Sequence, residues 1–276
     1  MTPAPLAGKA LRLTRLSRYA DGRFLFVPMD HSVSDGPIAD RDRFGEIVRA
    51  MVDGGADAIV LHKGRARSLD PALFSGAALV VHLSASTMLA GDTNAKVLVG
   101  GVEEALRMGA DAVSVHVNVG SDTETQQLAD LGAVADACDR WGMPLVAMVY
   151  PRGPRIADPS DPALLAHMVT IATELGADLV KTVMAAPRDR MADVVASSPI
   201  PVVVAGGAAK DEDVVSFARS AMSTGCHGLA IGRRVFGSTD PRQLVRQLAA
   251  VVHGRHPKAS IPASDPSPVP ELAGVL

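Results

Sequence analysis

The chain lacks a basic excess: 27 lysines and arginines face 30 aspartates and glutamates, for a formal net charge of -3. Proteins that hold nucleic acid usually carry a clear positive surplus against the phosphate backbone. No nucleic-acid partner is therefore expected, and small polar or anionic ligands remain. Cysteine is scarce. Cys138 and Cys226 sit far from any disulfide or metal-ligand spacing, so the expectation is a reduced, cytoplasmic protein without a zinc knuckle. No apolar run approaches the roughly 20 residues that a bilayer crossing needs, and the N-terminus lacks the apolar core of a secretion signal. No membrane partner is expected.

What is present is enough apolar material for a sizeable core, 47% of 276 residues, distributed in a repeating way. Eight short apolar segments begin at "RFLFVPMD" 23, "DAIVLHKG" 57, "AALVVHLS" 77, "DAVSVHVN" 111, "PLVAMVYP" 144, "DLVKTV" 178, "IPVVVAGG" 200 and "GLAIGRR" 228. Their starts fall 20 to 34 residues apart, and most are continuous rather than alternating, as parallel strands covered on both faces should be. Between them run helix-periodic stretches such as "RDRFGEIVRAMVDGG" and "PALLAHMVTIATELGA", each stopped by glycine. Gly-Ala-Asp then opens the next strand at Gly55, Gly109 and Gly176, with a looser echo at Gly225-Cys226-His227.

One β/α unit repeated eight times predicts an α/β fold, a single (β/α)8 TIM barrel. An open doubly wound sheet would carry Gly-x-Gly-x-x-Gly after its first strand, and here that turn reads "MDHSVSDGP". The expected organisation is an N-terminal covering segment over 1–22, the barrel over 23–253 and a proline-rich, flexible tail over 254–276. Lys9, Arg12, Arg15 and Arg18 in "GKALRLTRLSRY" suit an organellar address or a membrane-surface helix. The plainer reading, a short solvated helix covering one barrel end, is preferred.

Active sites of such barrels assemble where strands run out into the βα loops. Those ends carry Asp30 and His31, His62 and Lys63, His82, His116 and Asn118, Tyr150, Lys181, Gly206-Gly207, and Gly232-Arg233-Arg234. Glycine amides, a helix N-terminus and arginine on the last two ends are the usual barrel phosphate site, although either glycine turn alone is often only a tight turn. A phosphorylated substrate is the first functional inference. Lys181 is the second: Leu179, Val180 and Val183 surround it, and taking an ammonium out of water favours the neutral, nucleophilic amine of Schiff-base chemistry. The plainer alternative pairs it with a carboxylate such as Asp30. Lys63, in the more polar "HKGR", is a weaker competitor. Tyr150 and Asp30 suit the proton transfers that imine and carbon-carbon bond formation require. His62, His82 and His116 raise the rival of a zinc or iron site; the preferred reading has neither metal nor cofactor.

Together, "VPMDHSVSDGP", "GADAVSVHVNVGSDTE", "WGMPLVAMVYPRGP", "ELGADLVKTV", "PVVVAGG" and "AIGRRVF" resemble the archaeal-type class I aldolases (the DeoC and fructose-bisphosphate aldolase-like group) over about residues 20 to 253. "HVNVG" and "MVYPRGP" look most like its heptulosonate synthase branch, whose acceptor is L-aspartate semialdehyde. The resemblance implies Lys181 as the Schiff-base lysine, Tyr150 as proton donor and Asp30 as acid/base partner. It implies phosphate binding by Gly206, Gly207, Gly232 and Arg233. Beside the resemblance, Arg152 or Arg155 in "YPRGPR" is the expected clamp for the acceptor carboxylate, and His31 and His116 are expected as further substrate contacts. The resemblance also implies a homo-oligomer, since the family forms rings of five that pair into decamers.

The family usually reads Lys-Thr-Asn-Tyr at "KTVM" and Arg-Asn at Arg233-Arg234, and both departures touch the donor end. A similar enzyme of actinobacterial aminohydroxybenzoate pathways joins dihydroxyacetone phosphate to L-aspartate semialdehyde. The arginine-rich, alanine-rich composition shares that high-GC flavour, so this pair of small phosphorylated ketose and aldehyde is the expected one. The alternatives are 2-amino-3,7-dideoxy-D-threo-hept-6-ulosonate synthesis by a transaldol reaction with 6-deoxy-5-ketofructose 1-phosphate, and fructose-bisphosphate aldol chemistry. From other classes stand a metal-dependent barrel enzyme and a non-catalytic sugar-phosphate-binding regulator.

Overall fold

The computed structural model describes residues 7–206 and 212–254. The proline-rich tail and Gly207 lie outside the described residues. Eight parallel strands close on themselves in the order β1-β8-β7-β6-β5-β4-β3-β2. They are β1 (Phe24–Pro28), β2 (Ala58–Leu61), β3 (Ala78–His82), β4 (Ala112–Val119), β5 (Leu145–Pro151), β6 (Leu179–Thr182), β7 (Val202–Ala205) and β8 (Gly228–Ala230). Each coincides with one of the apolar segments of the sequence.

The strands are apolar on both faces because both are buried. Phe24, Phe26, Val60, Val80, Val146, Leu179 and Val203 fill the barrel interior, while Leu25, Val27, Ile59, Leu79, Val81 and Val204 pack outward against the helices. Burying such a side chain contributes about 2 kcal/mol. The alternation refines the surroundings of Lys181: Leu179 and Val183 share its inner face, whereas Val180 belongs to the outer layer.

The Gly-Ala-Asp repeat is a capping device. Each glycine holds positive φ, 104° at Gly55, 78° at Gly109 and 89° at Gly176, where a side chain would be strained. The aspartate two residues on accepts a backbone N–H from the start of another strand. Leu25 N donates to Asp57 Oδ2 at 2.6 Å, Leu79 N to Asp111 Oδ2 at 3.1 Å and Leu145 N to Asp178 Oδ2 at 2.8 Å. In the looser echo, His227 Nδ1 accepts from Val202 N at 3.2 Å.

Helix α1 (Ala7–Leu16) meets the same aspartates. Lys9 Nζ stands 3.0 Å from both Asp178 and Asp139, Arg15 lies 3.3 Å from Asp111, and the Arg18 amide donates to Asp57 at 2.9 Å. Leu16 is fully buried within the interior cluster. The helix is therefore less solvated than its basic sequence suggests, because the repeat supplies counter-charges. Among the described residues no helix is long and apolar enough to cross a membrane.

One element has no counterpart in the sequence reading. Ser84–Ala85 and Val97–Leu98 pair as an antiparallel ribbon, inserted after β3 at the mouth of the barrel.

Candidate active site

The C-terminal ends of the strands enclose a cavity of about 440 Å³ whose lining includes Asp30, His31, His62, His82, His116, Tyr150, Lys181, Gly206, Gly232 and Arg233. The barrel thus brings these candidates together, whereas Lys63, 3.0 Å from Glu104, lies outside the lining, as do Asn118 and Arg155. Lys181 sits on β6 in register with Met148 of β5 and Val203 of β7. It is 8% exposed. Its Nζ lies 3.8 Å from Met148 Sδ and 6.0 Å from the centre of the Tyr150 ring. Among the described residues it has no carboxylate within 4 Å, so the pairing with Asp30 does not form.

Asp30 lies instead between two imidazoles, 3.5 Å from His31 Nδ1 and 3.7 Å from His82 Nε2. Among the described residues its buried Oδ1 accepts no hydrogen bond. Burial pushes the Asp30 carboxyl up, but His82, His31, Lys181 and His62 together outweigh it and bring the pKa down to about 2. Burial likewise pushes His82 down, to about 4, against the pull of Asp30. At neutral pH the pair is a carboxylate beside a neutral imidazole. An acid role for Asp30 thus requires that it first take up a proton.

The three strand-end histidines are engaged individually. His62 Nδ1 donates to the His82 carbonyl at 3.1 Å, and His82 Nδ1 lies 2.8 Å from Ser114 Oγ. The Asn118 amide gives its Nδ2 to Asn94 O at 2.8 Å, which leaves its Oδ1 to accept from His116 Nε2, also at 2.8 Å. Among the described residues no group of three or more histidines, cysteines or carboxylates is arranged to hold a metal ion. Both cysteines are buried and free, and burial pushes the Cys138 thiol up to about 12.

Tyr150, 4% exposed, is sandwiched between two neighbours. The His116 ring is 4.9 Å from it, and the Arg152 guanidinium sits 4.6 Å over its face. Arg152 faces the cavity. Arg155 does not: it donates to the Ser121 carbonyl at 2.8 Å and lies 3.5 Å from Asp122. The loop turns it away from the mouth.

At the β7 and β8 ends, space rather than turn geometry demands glycine. A Cβ on Gly206 would stand 2.6 Å from Ile231 Cγ1, and one on Gly232 would stand 2.2 Å from the Pro28 carbonyl oxygen. The Gly206 amide is already donated to Ala230 O at 3.0 Å, so it offers room rather than a donor. Arg233 reaches the cavity from the start of the short helix Arg233–Phe236. Arg234 donates to the Glu212 carbonyl, with its Nη1 buried and unpartnered.

Sequence reasoning missed the ribbon and its Lys96. Lys96 lines the same cavity; its Nζ donates to Ser86 Oγ and, at 3.4 Å, to Thr93 O. The signal was a spacing of 34 residues from 77 to 111, most of it without helical or strand period.

A closed α/β barrel with a buried lysine on its inner face and a carboxylate-imidazole group and a glycine-arginine end lining the same cavity defines a barrel aldolase. The family model described as DeoC/LacD family aldolase matches residues 24–238. The chain belongs to that family. It is 49% identical over 255 residues to 2-amino-4,5-dihydroxy-6-oxo-7-(phosphonooxy)heptanoate synthase of Streptomyces griseus, covering 92% of this chain and 93% of that one. It is 41% identical over 248 residues to 2-amino-3,7-dideoxy-D-threo-hept-6-ulosonate synthase of Halobacterium salinarum, covering 90% and 92%. A solved Schiff-base-forming fructose-1,6-bisphosphate aldolase superposes with a TM-score of 0.79 at 26% identity, covering 88% of this chain and 99% of that one.

Proposed function

We propose that this aldolase joins dihydroxyacetone phosphate to L-aspartate semialdehyde through a Schiff base on Lys181. The observation that carries the reading is Lys181 itself, buried on the inner wall without a carboxylate partner within 4 Å among the described residues, near Tyr150 and on the strand next to the one that ends at Gly206. The substrate pair is supported by the product that names the Streptomyces relative. That product is a β-hydroxy ketone, with the ketone at C6 and the hydroxyl at C4. Breaking C4–C5 divides it into a three-carbon ketone phosphate and the four-carbon aldehyde of aspartate. The hept-6-ulosonate product of the Halobacterium relative carries no oxygen at C7 and so, unlike the Streptomyces product, retains no phosphate.

In the proposed sequence the Lys181 amine adds to C2 of dihydroxyacetone phosphate, and the carbinolamine expels water to leave a protonated imine. That cation draws the electron pair of a C3–H bond, the proton passes to a base, and an enamine results. Asp30 is suited to this step because it is ionised and its Oδ1 is unoccupied. The enamine carbon attacks the aldehyde, forming the carbon-carbon bond, while Tyr150 protonates the new alkoxide. Water then hydrolyses the imine, returning the amine and releasing the seven-carbon product. Gly207, Gly232 and Arg233 hold the donor phosphate, with Gly206 leaving room for it and His31 beside them, and Arg152 and His116 face the acceptor. The chain acts as a homo-oligomer, checked by light scattering.

The test is borohydride reduction in the presence of dihydroxyacetone phosphate. A stable adduct on Lys181, absent from Lys181→Met, is expected; an adduct that persists in the variant sinks the assignment.

A further inference from the structure

A second pair of cations lines the cavity besides Arg233, and the donor phosphate does not account for it. It consists of Arg152 from the end of β5 and Lys96 from the ribbon, both lining the cavity. Among the described residues neither has a carboxylate within 4 Å. The carboxylates of Asp30, Asp35 and Asp92 act on Lys96 from farther away.

Both cations are held in place rather than free to retreat into solvent. Lys96 spends two of the three N–H donors of its ammonium on Ser86 Oγ and Thr93 O of its own ribbon. Arg152 is stacked on Tyr150 at 4.6 Å. Burial, and after it the neighbouring Arg152, pushes Lys96 below the usual lysine range. Two like charges sharing one cavity repel each other, and an anion entering between them relieves that cost.

We propose that Lys96 and Arg152 together bind the carboxylate of the aldehyde acceptor, which makes Lys96 a specificity-determining residue for carboxylate-bearing aldehydes. Arg152 is stacked on the proposed proton donor, so an acid held there presents the rest of its chain to Tyr150 and to the enamine on Lys181. The proposal rests on the aldol reading above, and the placement gives it a reason. Arg233 after β8, and Lys96 and Arg152 after β3 and β5, give the phosphate and the carboxylate separate cations around the one cavity that Lys181 also lines.

The experiment compares kcat/KM for L-aspartate semialdehyde with kcat/KM for propanal, with dihydroxyacetone phosphate saturating, in the wild type, Lys96→Met and Lys96→Arg. Glyceraldehyde 3-phosphate serves as a third acceptor. The wild type should prefer the carboxylate aldehyde over both others. Losing one charge-assisted contact should lower the charged-to-uncharged ratio about tenfold in Lys96→Met, and Lys96→Arg should restore most of it. Calorimetry with L-homoserine, the unreactive alcohol of the acceptor, should show a matching weakening of Kd in Lys96→Met. A wild type that prefers propanal or glyceraldehyde 3-phosphate overturns the proposal without any variant. So does a loss that is equal for charged and uncharged acceptors. Borohydride trapping of the wild type with dihydroxyacetone phosphate alone is run in parallel. If no adduct forms there, the Schiff-base reading fails, and the homoserine titration still decides the role of Lys96.

Discussion

His82 Nε2 lies 3.7 Å from Asp30 Oδ2, close enough to set the charge state of both groups and too far to consume the carboxylate in a hydrogen bond. The aspartate stays ionised because four positive or protonatable neighbours outweigh its burial, and the histidine stays neutral because its own burial outweighs the aspartate. The site therefore rests with a base ready and its imidazoles uncharged.

Replacing Asp30 with Asn keeps the size and removes the base. We expect kcat to fall by about 10²- to 10⁴-fold, the range for a positioned acid or base, with the fold intact by circular dichroism. A variant with more than a tenth of wild-type kcat would remove Asp30 from the proton path.

The charge of the His82 imidazole can be followed directly by NMR. Asp30 titrates at about 2 and His82 at about 4, so neither changes charge as pH falls from 7 to 5. The His82 ring signals should stay level over that interval and shift only as pH approaches about 4. A midpoint near that of free histidine, about 6.5, would contradict the neutral imidazole.

Tyr150→Phe separates bond formation from imine formation. The reduced adduct with dihydroxyacetone phosphate should still form on Lys181, while turnover with the aldehyde drops by about 10²-fold or more. Loss of the adduct as well would make Tyr150 a partner in imine formation rather than the proton source for the alkoxide.

Gly232→Ala tests the crowded β8 end, where a Cβ would stand 2.2 Å from Pro28 O and 2.9 Å from His31 Cε1. Backbone cannot yield to that contact without moving Arg233. We expect a loss of about 1–3 kcal/mol, the usual cost of overpacking, with a raised KM for the ketone phosphate. Unchanged melting and KM would mean that the strand end is looser than described.

At the opposite end of the barrel, His253 lies 2.9 Å from Asp21 and 3.1 Å from Asp57, with its side chain fully buried. Burial pushes the imidazole down, but hydrogen bonds and charge from Asp57 and Asp21 overcome it, so the folded pKa is raised. A raised folded value contributes stability that is complete below the unfolded pKa of about 6.5 and lost as pH rises through the folded one. Breaking such a buried pair costs about 3 kcal/mol. His253→Gln should therefore be destabilised more at pH 6 than at pH 9 in denaturant titrations. A penalty that grows with pH would reverse the assignment of charge.

The eight strands were legible because burial on both faces makes a parallel barrel strand apolar without alternation, and glycine stops divide the helices between them. Asp30, Tyr150 and Lys181 were legible for a related reason: each is a polar exception at the end of an apolar run, and in a barrel those ends converge. Arg155 and Arg152 looked alike in "YPRGPR"; only the path of the loop, which carries one to the Ser121 carbonyl and the other over Tyr150, tells them apart. Lys96 lay in a stretch with neither helical nor strand period. Its position depends on bonds to distant residues, Asn94 O accepting from Asn118 and Gln127 and Ser84 Oγ accepting from the His116 amide.

The chain order of apolar segments thus determined the barrel, the strand ends that converge on the cavity and the buried lysine proposed as the nucleophile, because each follows from local burial and from the topology that burial imposes. Tertiary structure alone decided which carboxylate stays ionised, why Gly206 and Gly232 carry no side chain, and where the second pair of cations faces. Those outcomes arise from groups far apart in sequence meeting in a space of low dielectric, where the charge of each is set by its neighbours rather than by its own chemistry.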